Sequence, residues 1–478
     1  MTDTTITAAS PDRVDRATTT RPGLTMLALA VCGLVVSLQQ TLVLPLLPRL
    51  AQTFDATVTS VAWVFTATLL AGAVATPLLS RFGDMYGKKR MITLTMALLV
   101  AGSVVCALSD SLAVMIAGRA LQGAAAAVIP LAIGMIRDTF PRERVTTAIG
   151  VVSATMGVGG AAGMLVTGVI ADNTDTHHPV FWISAAMGAV GLGFVVVCTA
   201  ESASRTGGRP DLPGALLLAG FLVSLLLGIS QGNAWGWTDG RILGLFAAAV
   251  VLCVVWVLTQ LRVAEPLVRL RLLVGPKSLS ANLASLLLGF AMFAAFQLVS
   301  NFIQTPEEAV GYGLSGSVLD VGLYMLPSTF TMLFFSALAG RFEAKLGAAR
   351  TLAIGSAFAA LAYLWLALRH GSVGDFLVFS GIQGVGFGIA YAALGTLAVQ
   401  HVPMESSGIA SGVNSLVRTA GGSLASAATA AILVGDVIPG TEVPSVDAYV
   451  TCFVIASIAA ATTAVIAAVH GVRHRATA

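Results

Sequence analysis

Three charged residues fall within or beside long apolar stretches of this 478-residue chain. Arg119 and Arg418 lie inside such stretches, and Asp320 stands near the start of another. A charge at the centre of a membrane costs about 2.5–3.5 kcal/mol, so an ionisable residue inside a membrane-spanning stretch is a functional hypothesis by default. Asp320 could bind a proton, or it could simply begin a helix at the membrane interface. The two arginines could instead be structural and bind backbone carbonyls.

A short basic segment, Ser80–Arg90, separates two of these apolar stretches. Its single acid is Asp84, which we place at the start of the following helix, between Gly83 and Gly87. A carboxylate there can cap its own helix or face the N-terminus of another, and either contact contributes about 0.3–1 kcal/mol when exposed. The glycines allow a tight turn and close backbone approach. The segment's cations, which could serve only to orient the chain in a membrane, are Arg81, Lys88, Lys89 and Arg90.

The composition predicts a polytopic membrane protein, because 56% of the residues are hydrophobic and only 10% are charged. Soluble domains carry roughly a quarter charged residues. The net charge of +3 does not suggest nucleic-acid binding. The five cysteines all lie in apolar stretches and are expected to be buried thiols. We find no phosphate-binding loop, metal-ligand cluster or nucleophile–base pair, so we expect neither an ATP-driven pump nor an enzyme, and no metal or cofactor.

Fourteen apolar stretches are long enough to cross a bilayer, which takes roughly 20 residues per helix. They lie near 24–47, 59–79, 91–108, 112–136, 146–170, 180–200, 212–231, 242–260, 279–303, 318–339, 351–368, 374–399, 408–434 and 449–469. We therefore predict an all-α membrane protein with fourteen transmembrane helices and both termini on one side.

The distribution of Lys and Arg predicts which side that is. With the N-terminus placed in the cytoplasm, 21 Lys and Arg residues fall on the cytoplasmic side, and only Arg49, Arg241 and Arg369 fall outside. Acids are split evenly, so this is a Lys/Arg bias of the kind that the positive-inside rule describes. We expect a multi-pass plasma-membrane protein with both termini in the cytoplasm.

The chain also contains a long internal repeat. A weaker copy of the basic segment lies 260 residues further on, at Gly340–Gly347, and Gln122 and Gly160 match Gln383 and Gly422 at offsets of 261 and 262. An offset of this length fits eight helices, so two helices are inserted between two related six-helix halves. The halves are then parallel, a transporter plan with the substrate site between them. The predicted segments are a disordered cytoplasmic tail at 1–22, an N-terminal bundle at 23–203, two inserted helices with a basic linker at 204–277 that includes Arg269 and Arg271, a C-terminal bundle at 278–470 and a cytoplasmic tail at 471–478.

These motifs resemble those of a known family. The segment at 80–90 resembles the signature between helices 2 and 3 of the major facilitator superfamily (MFS), and Arg119, Gln122 and Gly123 resemble its helix 4 signature. The glycine-rich fifth stretch resembles its antiporter signature. Fourteen helices resemble its branch of drug:proton antiporters, which export multiple drugs and antibiotics. The resemblance covers roughly residues 24 to 469.

The resemblance implies roles for the charged residues. Asp84 and its neighbouring cations would hold the two halves together when the protein opens outward. The implied gating residues are Gly83, Asp84, Gly87, Lys88, Lys89 and Arg90. In the family the helix 4 arginine is linked to proton coupling, and Arg418 lies in a sequence that is frequent in the branch. The coupling candidates are therefore Arg119, Asp320 and Arg418.

The chain departs from the family's pattern at Ser80 and Met85 of the basic segment, and at two positions that bear on proton coupling. Gln39 stands where family members often place an Asp in helix 1, and glutamine cannot carry a proton. Gly160 stands where a proline marks the antiporters. Proton coupling is therefore implied by the resemblance and is not supported by a buried carboxylate.

A mostly apolar pocket with scattered hydrogen-bonding groups would suit amphipathic drugs. Without an acid it would not favour strongly cationic substrates. The predicted lining residues, each with ordinary helix packing as the alternative, are Gln39, Gln40, Trp63, Phe293, Gln297, Asn301, Tyr324, Gln383 and Tyr391.

The leading hypothesis is a monomeric secondary transporter that exports hydrophobic drugs, antibiotics or metabolites by alternating access in exchange for protons. An exporter of an endogenous metabolite with different or no ion coupling is the alternative that Gln39 and Gly160 suggest. A receptor with the same fold is a third hypothesis, and the retained Asp84 segment argues against it.

Overall fold

A computed structural model describes residues 22–473 apart from short internal gaps at 44–45, 57, 175, 202–206, 208–210, 264–265, 268–269, 271–274, 401, 404–406, 440 and 442. The predictions for tail residues 1–21 and 474–478, and for Arg269 and Arg271 in the basic linker, lie outside the described residues.

Fourteen helices of the described chain are long and apolar enough to cross a membrane, which confirms the predicted all-α membrane fold. They are α1 (Pro22–Thr41), α2 (Val58–Tyr86), α3 (Lys88–Ala107), α4 (Leu112–Gly123, continued by a 3-10 turn at Ala124–Ala127 and by Val128–Thr139), α5 (Arg142–Asn173), α6 (His178–Cys198), α7 (Leu212–Trp235), α8 (Gly240–Arg262), α9 (Pro276–Gln304), α10 (Val318–Tyr324 and Leu326–Leu346), α11 (Ala348–Leu368), α12 (Val373–Gln400), α13 (Ser407–Gly435) and α14 (Val446–Arg473).

The basic segment at 80–90 is not the loop that we predicted. Helix α2 continues through Asp84 to Tyr86, α3 begins at Lys88, and Gly87 is the single residue between them. Asp84 therefore lies in the last turn of α2 and not at the start of α3. Gly87 has φ 120°, and Gly347, between α10 and α11, has φ 82°. Both conformations favour glycine, so the repeat preserves the same sharp break in each half.

Two helices differ from the predicted stretches for local reasons. Helix α1 ends at Thr41 instead of near residue 47, and a separate short helix, Leu47–Thr53, follows it. Helix α10 is interrupted at Met325. Pro327, which follows closely, cannot donate a backbone hydrogen bond and restricts the residue before it, so the helix divides there.

Buried apolar side chains form separate cores in the two halves of the sequence. One cluster runs from Ala281 to Ala467 and is centred on aromatic residues such as Phe302, Tyr363 and Phe379. Two further clusters join mainly residues of α1 to α6, around Ile136 and around Phe181, and Val399 of α12 packs into the first of them. This division is consistent with bundles at 23–203 and 278–470, whose exact limits stay a prediction.

The inserted helices α7 and α8 lie outside these two cores. Helix α7 packs Leu222 and Leu226 against Ala73 of α2 and Leu416 of α13, and so contacts both halves. Helix α8 packs along α7 and leaves residues such as Val250 exposed, as expected of a surface that faces lipid.

One buried carboxylate ties the inserted pair together. Asp211 accepts hydrogen bonds from the Gly214 backbone N–H at 2.8 Å and from the Gln260 amide at 2.5 Å. The first bond caps α7 and the second joins it to the end of α8, so the two helices form one unit.

We call the membrane face that carries Gly87 and Gly347 the basic face, because Arg81, Lys89 and Lys345 also lie there.

Candidate functional site

A large cavity lies between the two halves. It has a volume of about 590 Å³ and is bounded by α1, α2, α5, α7, α9 and α13. Its walls reach Thr41 and Gln304, the last residues of α1 and α9, so it lies away from the basic face. Among the described residues that line it, none is Lys, Arg, Asp, Glu or His. The cavity can therefore hold an amphipathic molecule, but it offers no fixed charge to pair with.

Four of the nine predicted binding residues line this cavity, namely Gln40, Phe293, Gln297 and Asn301. Gln39 lines a small adjoining cavity of about 30 Å³. The remaining four, Trp63, Tyr324, Gln383 and Tyr391, do not line the large cavity, and a part in substrate binding stays a prediction for them.

Two of these four residues lie elsewhere for a clear physical reason. Gln383 is buried in the core of the C-terminal helices, where its amide lies 3.4 Å from the Tyr363 hydroxyl. Tyr391 is also buried, with its ring stacked on Phe387 and facing the Arg418 guanidinium. Both side chains use their polar groups inside the protein.

Helix α7 supplies a wall of the cavity that the sequence analysis missed. Leu226, Ser230 and Ala234 line it, and the Ser230 hydroxyl lies 3.4 Å from the Thr66 hydroxyl of α2. The inserted pair is therefore part of the candidate binding site. The polar residues near the end of this mostly apolar helix, Ser230 among them, were the available signal.

Glycines in α5 allow this helix to pack closely against α1 beside the cavity. A Cβ at Gly159 would lie 2.6 Å from the Leu34 carbonyl oxygen, and one at Gly163 would lie 2.6 Å from that of Leu38. Gly160 lines the cavity, where its carbonyl accepts a hydrogen bond from Thr41 at 2.8 Å. A proline at 160 would add bulk at the Phe296 ring, so this departure from the family's pattern widens the cavity.

Arg119 is fully buried among the N-terminal helices and does not line the large cavity. Its Nε donates to the Val64 carbonyl at 3.1 Å, and its Nη1 donates to the Gln122 side-chain oxygen at 2.8 Å. Its Nη2 has no hydrogen-bond partner in the described part of the chain. The partners of this cation are amide oxygens rather than carboxylates.

Gln39 completes the network around Arg119. Its amide donates to the Gln122 side-chain oxygen, and its own side-chain oxygen accepts from the Ser184 hydroxyl. The Gln122 amide donates to Ser103 at 2.8 Å. Because a carboxylate at position 39 could not donate to Gln122, this arrangement depends on a neutral amide there.

Arg418 lies where the two halves meet. Its Nη2 donates to Ser415 at 3.0 Å, and its guanidinium carbon lies 5.4 Å from the centre of the Tyr391 ring. It borders a space of only about 10 Å³ between α4, α5, α12 and α13, which is too small for a substrate. These contacts are those of a structural arginine.

Asp320 begins the first segment of α10. Its carboxylate accepts hydrogen bonds from the backbone and hydroxyl of Ser317, both at 2.8 Å, and Ser317 caps the helix in return. This reciprocal arrangement is a capping box. Of the two alternatives from the sequence, the geometry matches the interfacial helix-start acid.

Asp84 joins the two halves at the basic face. Its carboxylate accepts hydrogen bonds from the backbone N–H groups of Gly408, at 3.2 Å, and Ile409, at 2.9 Å, in the first turn of α13. Lys88 Nζ lies 3.1 Å from Asp84 and 2.7 Å from Asp138 of α4, and all three side chains are buried. The partial positive charge of the helix N-terminus and the lysine together compensate two carboxylates. We call Asp84, Lys88, Asp138 and the start of α13 the latch.

Two more contacts close the basic face near the latch. Ser80 is fully buried, and a Cβ at Gly412 would lie 2.7 Å from its hydroxyl, so only glycine fits opposite it. Arg137 of α4 donates to the Val402 carbonyl, beyond the end of α12, at 2.7 Å. The sequence analysis missed Arg137 and Asp138, although their position at the end of an apolar stretch was visible.

Lys89 and Arg90 do not contact the opposite half in the described structure. Lys89 Nζ donates to the carbonyls of Val196, at 2.9 Å, and Thr199, at 2.6 Å, at the end of α6. Their backbone N–H groups donate to Glu201, at 3.0 Å for Lys89 and 3.3 Å for Arg90. These two cations tie α3 to α6 within one half, and a part in the gate stays a prediction for them.

Two groups of six helices with an inserted pair, a cavity without charged lining among the described residues towards one face and a polar closure at the other form the architecture of a membrane transporter. The sequence profile of the Major Facilitator Superfamily matches residues 29–426. The chain belongs to this superfamily, whose members are transporters and not enzymes.

Two relatives of the chain are named for export or drug resistance. It is 29% identical over 426 residues to the tetracenomycin C resistance and export protein of Streptomyces glaucescens, covering 88% of this chain and 78% of that one. It is 27% identical over 413 residues to the multidrug resistance protein Stp of Mycobacterium tuberculosis, covering 86% and 75%.

A solved structure supports the fold. The crystal structure of the human organic anion transporter MFSD10 (TETRAN) matches with a TM-score of 0.64 at 13% identity, covering 94% of this chain and 98% of that one. At this identity the match extends to the fold alone.

The latch generates the first prediction. Asp84→Asn removes the charge that binds Lys88 and the start of α13, and hydrogen bonds to charged groups contribute about 1.5–3 kcal/mol each. We expect transport in cells to fall by about tenfold or more while protein level is kept, because about 1.4 kcal/mol corresponds to a tenfold change. Asp447→Asn, at an exposed acid of α14, is the matched control and should leave transport unchanged. Near-normal transport by Asp84→Asn would contradict the latch.

The α7 wall generates the second prediction. Ser230→Trp would fill part of the cavity, and added bulk in packed sites costs about 1–3 kcal/mol. We expect the half-saturating concentration of bulky substrates to rise by about tenfold, because a loss of about 1.4 kcal/mol in binding free energy weakens affinity tenfold. Val254→Trp, on the exposed side of α8, is the control. Equal concentration dependence of both variants would exclude α7 from the site.

Proposed function

We propose that the protein is a secondary active transporter that exports hydrophobic or amphipathic drugs, antibiotics or metabolites across the plasma membrane by alternating access. The cavity carries this proposal. It is large, mostly apolar, free of charged lining among the described residues, and lies opposite a closed polar latch. A pocket of this kind binds its ligand through apolar area and a few hydrogen bonds.

The substrate class follows from the lining. Gln40, Gln297 and Asn301 offer amide groups that donate and accept hydrogen bonds, and Phe293 and Phe296 offer flat apolar surface. A strongly cationic substrate would lose its hydration with no carboxylate to compensate, so neutral and weakly anionic aromatic compounds fit best. The names of the relatives, a tetracenomycin C exporter and a multidrug resistance protein, point the same way.

The Lys/Arg bias supports placing the basic face in the cytoplasm. With that orientation, both termini are cytoplasmic and the cavity lies towards the outside. The latch then closes the cytoplasmic side of an outward-facing state. Opening of the latch and closure of the outer walls around the substrate complete the cycle in a monomer.

Proton exchange is the energy source that we propose first, on the basis of the branch that the motifs resemble. The neutral network around Arg119 favours a second possibility, in which an endogenous product is exported with different or no ion coupling. Gln39 cannot carry a proton, and among the described residues Arg119 pairs with amide oxygens. A receptor with this fold would not need a latch between the halves, so we favour transport.

Reconstituted vesicles distinguish these possibilities. The purified full-length protein would be tested for transport of tetracenomycin C and of neutral, anionic and cationic fluorescent dyes, with and without an imposed pH gradient. Transport that depends on the gradient supports proton exchange, and transport that ignores it supports the second possibility. Failure to move any compound of the panel would overturn the proposal in favour of a receptor.

Position 39 generates the third prediction. Gln39→Asp places a titratable group beside Arg119, whose Nη1 lies 3.4 Å from the Gln39 backbone carbonyl. The cation favours the ionised form of this acid, which protonates only as the pH falls. We expect the rate of transport in vesicles to become more steeply dependent on external pH than in the natural protein.

Gln39→Asn is the control, because it shortens the side chain and keeps the neutral amide. It should leave the pH profile unchanged. An identical pH profile for Gln39→Asp and Gln39→Asn, in variants that still transport, would show that this network does not take part in proton coupling.

A further inference from the structure

Helices α5 and α10 meet at the basic face on the side of the molecule away from the latch. The Ser336 hydroxyl of α10 donates to the Gly150 carbonyl of α5, and a Cβ at Gly340 would lie 2.6 Å from the Thr147 hydroxyl. We call this contact the α5/α10 seam. Like the latch, it joins the two halves, but it does so through glycines and hydroxyls.

Glu343 lies in the last turns of α10 beside this seam. Its side chain is buried, with 9% of the residue exposed, and one carboxylate oxygen has no hydrogen-bond partner within the described chain. The carboxylate interacts with the Thr396 side chain of α12.

The charged groups of the surrounding helices do not neutralise this carboxylate. Within the described ranges, the ends of α5, α10 and α11 at this face carry ionisable side chains that are exposed or half-buried, and none of them forms an ion pair with Glu343; they are Glu143, Arg144, Arg341, Lys345 and Arg350. Helix α12 presents the uncharged Thr396. Glu343 therefore differs from Asp84 and Asp138, which share Lys88.

The repeat shows that Glu343 does not occupy the position that matches Asp84. With the offset of 260, the counterpart of Asp84 is Ala344, and the counterpart of Gly83 is Glu343. Gly83 faces Leu131 of α4 inside the N-terminal helices. Helix α10 therefore has no carboxylate at the position that matches Asp84, and its acid stands one residue earlier and interacts with α12.

The ionised form of a buried carboxylate that has no cationic partner is strongly disfavoured. Transfer of a charge into a low-dielectric site without a partner costs far more than transfer of the neutral acid, so burial favours the protonated form. When the seam opens, water can reach the group and the ionised form is no longer penalised.

We propose that Glu343 is a proton-binding site of the cytoplasmic gate, which takes up one proton when the α5/α10 seam closes and releases it to the cytoplasm when the seam opens. This inference rests on the proposed alternating access and on the cytoplasmic placement of the basic face. It gives the transporter a response to cytoplasmic pH that needs no acid in the substrate cavity.

The sign of the response follows from linkage. The closed state binds the proton more tightly, so acid conditions favour closure and alkaline conditions favour opening, with a limit of about tenfold per pH unit for one proton. Glu343→Gln removes the titration of this one group and leaves the residues of the latch unchanged. The contribution of Glu343 to the pH response is therefore measured as the difference between the responses of the natural protein and of Glu343→Gln.

Spin labels across the seam can measure this difference. Arg144→Cys on α5 and Lys345→Cys on α10 are exposed positions, and the five native cysteines would be replaced in the full-length chain. Distances between the labels would be measured by double electron–electron resonance in lipid nanodiscs, from mildly acid to mildly alkaline buffer. The variant is Glu343→Gln, which resembles the protonated acid in shape and charge.

We expect the short-distance population of the labelled reference protein to grow as the pH falls. In Glu343→Gln the short-distance population should stay high at alkaline pH. Relative to the reference protein, the ratio of closed to open protein should rise by up to about tenfold for each pH unit above the pH at which Glu343 loses its proton. Glu343→Asp, which keeps an acid, should retain the response, and Glu308→Gln, at an exposed acid of the opposite face, should match the reference.

An unchanged pH response in Glu343→Gln, in a protein that still opens and closes, would overturn the proton site and leave alternating access intact. A single distance at every pH in both proteins would overturn alternating access itself. The two failures are thus separate observations in one experiment.

Discussion

The contact between the Asp84 carboxylate and the first turn of α13 is the interaction on which the rest of the structure depends. It places a buried negative charge against the amides of a helix from the other half, with Lys88 and Asp138 completing the balance. When the halves part, Asp84 keeps Lys88 of its own half but loses the two amides of α13, so water must replace those hydrogen bonds. The halves are in contact at the basic face and are separated by the large cavity towards the opposite face.

The two seams of this closure differ in chemistry although the two sequence segments are related by the repeat. At the α2/α13 seam the Asp84 carboxylate accepts hydrogen bonds from the first turn of α13, and Ser80 packs on Gly412. At the α5/α10 seam, Ser336 and Gly340 meet α5 without an ion pair among the described residues. Asp84 stands in the register that reaches the neighbouring half, and Glu343 stands one residue earlier in the repeat. The two copies thus share the bend at each glycine and not the position of the charge.

The fold was predictable because each helix is specified by its own apolar stretch, and Gly87 and Gly347 mark the same break twice. The Asp84 contact was predictable because this acid stands alone in its basic segment. The cavity lining was predicted only in part, since Gln39 and Gln40 are adjacent on α1 but point about 100° apart around a helix of 3.6 residues per turn. Which of them faces the cavity depends on neighbouring helices. The α7 wall depends on docking against α2 and α13, which local sequence does not specify.

The most direct test of the central claim is whether the halves must part at the basic face for transport to occur. Thr147→Cys and Gly340→Cys would place two thiols at adjoining positions of α5 and α10, in a chain without its native cysteines. Transport in vesicles would be measured after oxidation and again after reduction. Alternating access predicts that the disulfide stops transport and that reduction restores it. Undiminished transport by the fully cross-linked protein would contradict the account.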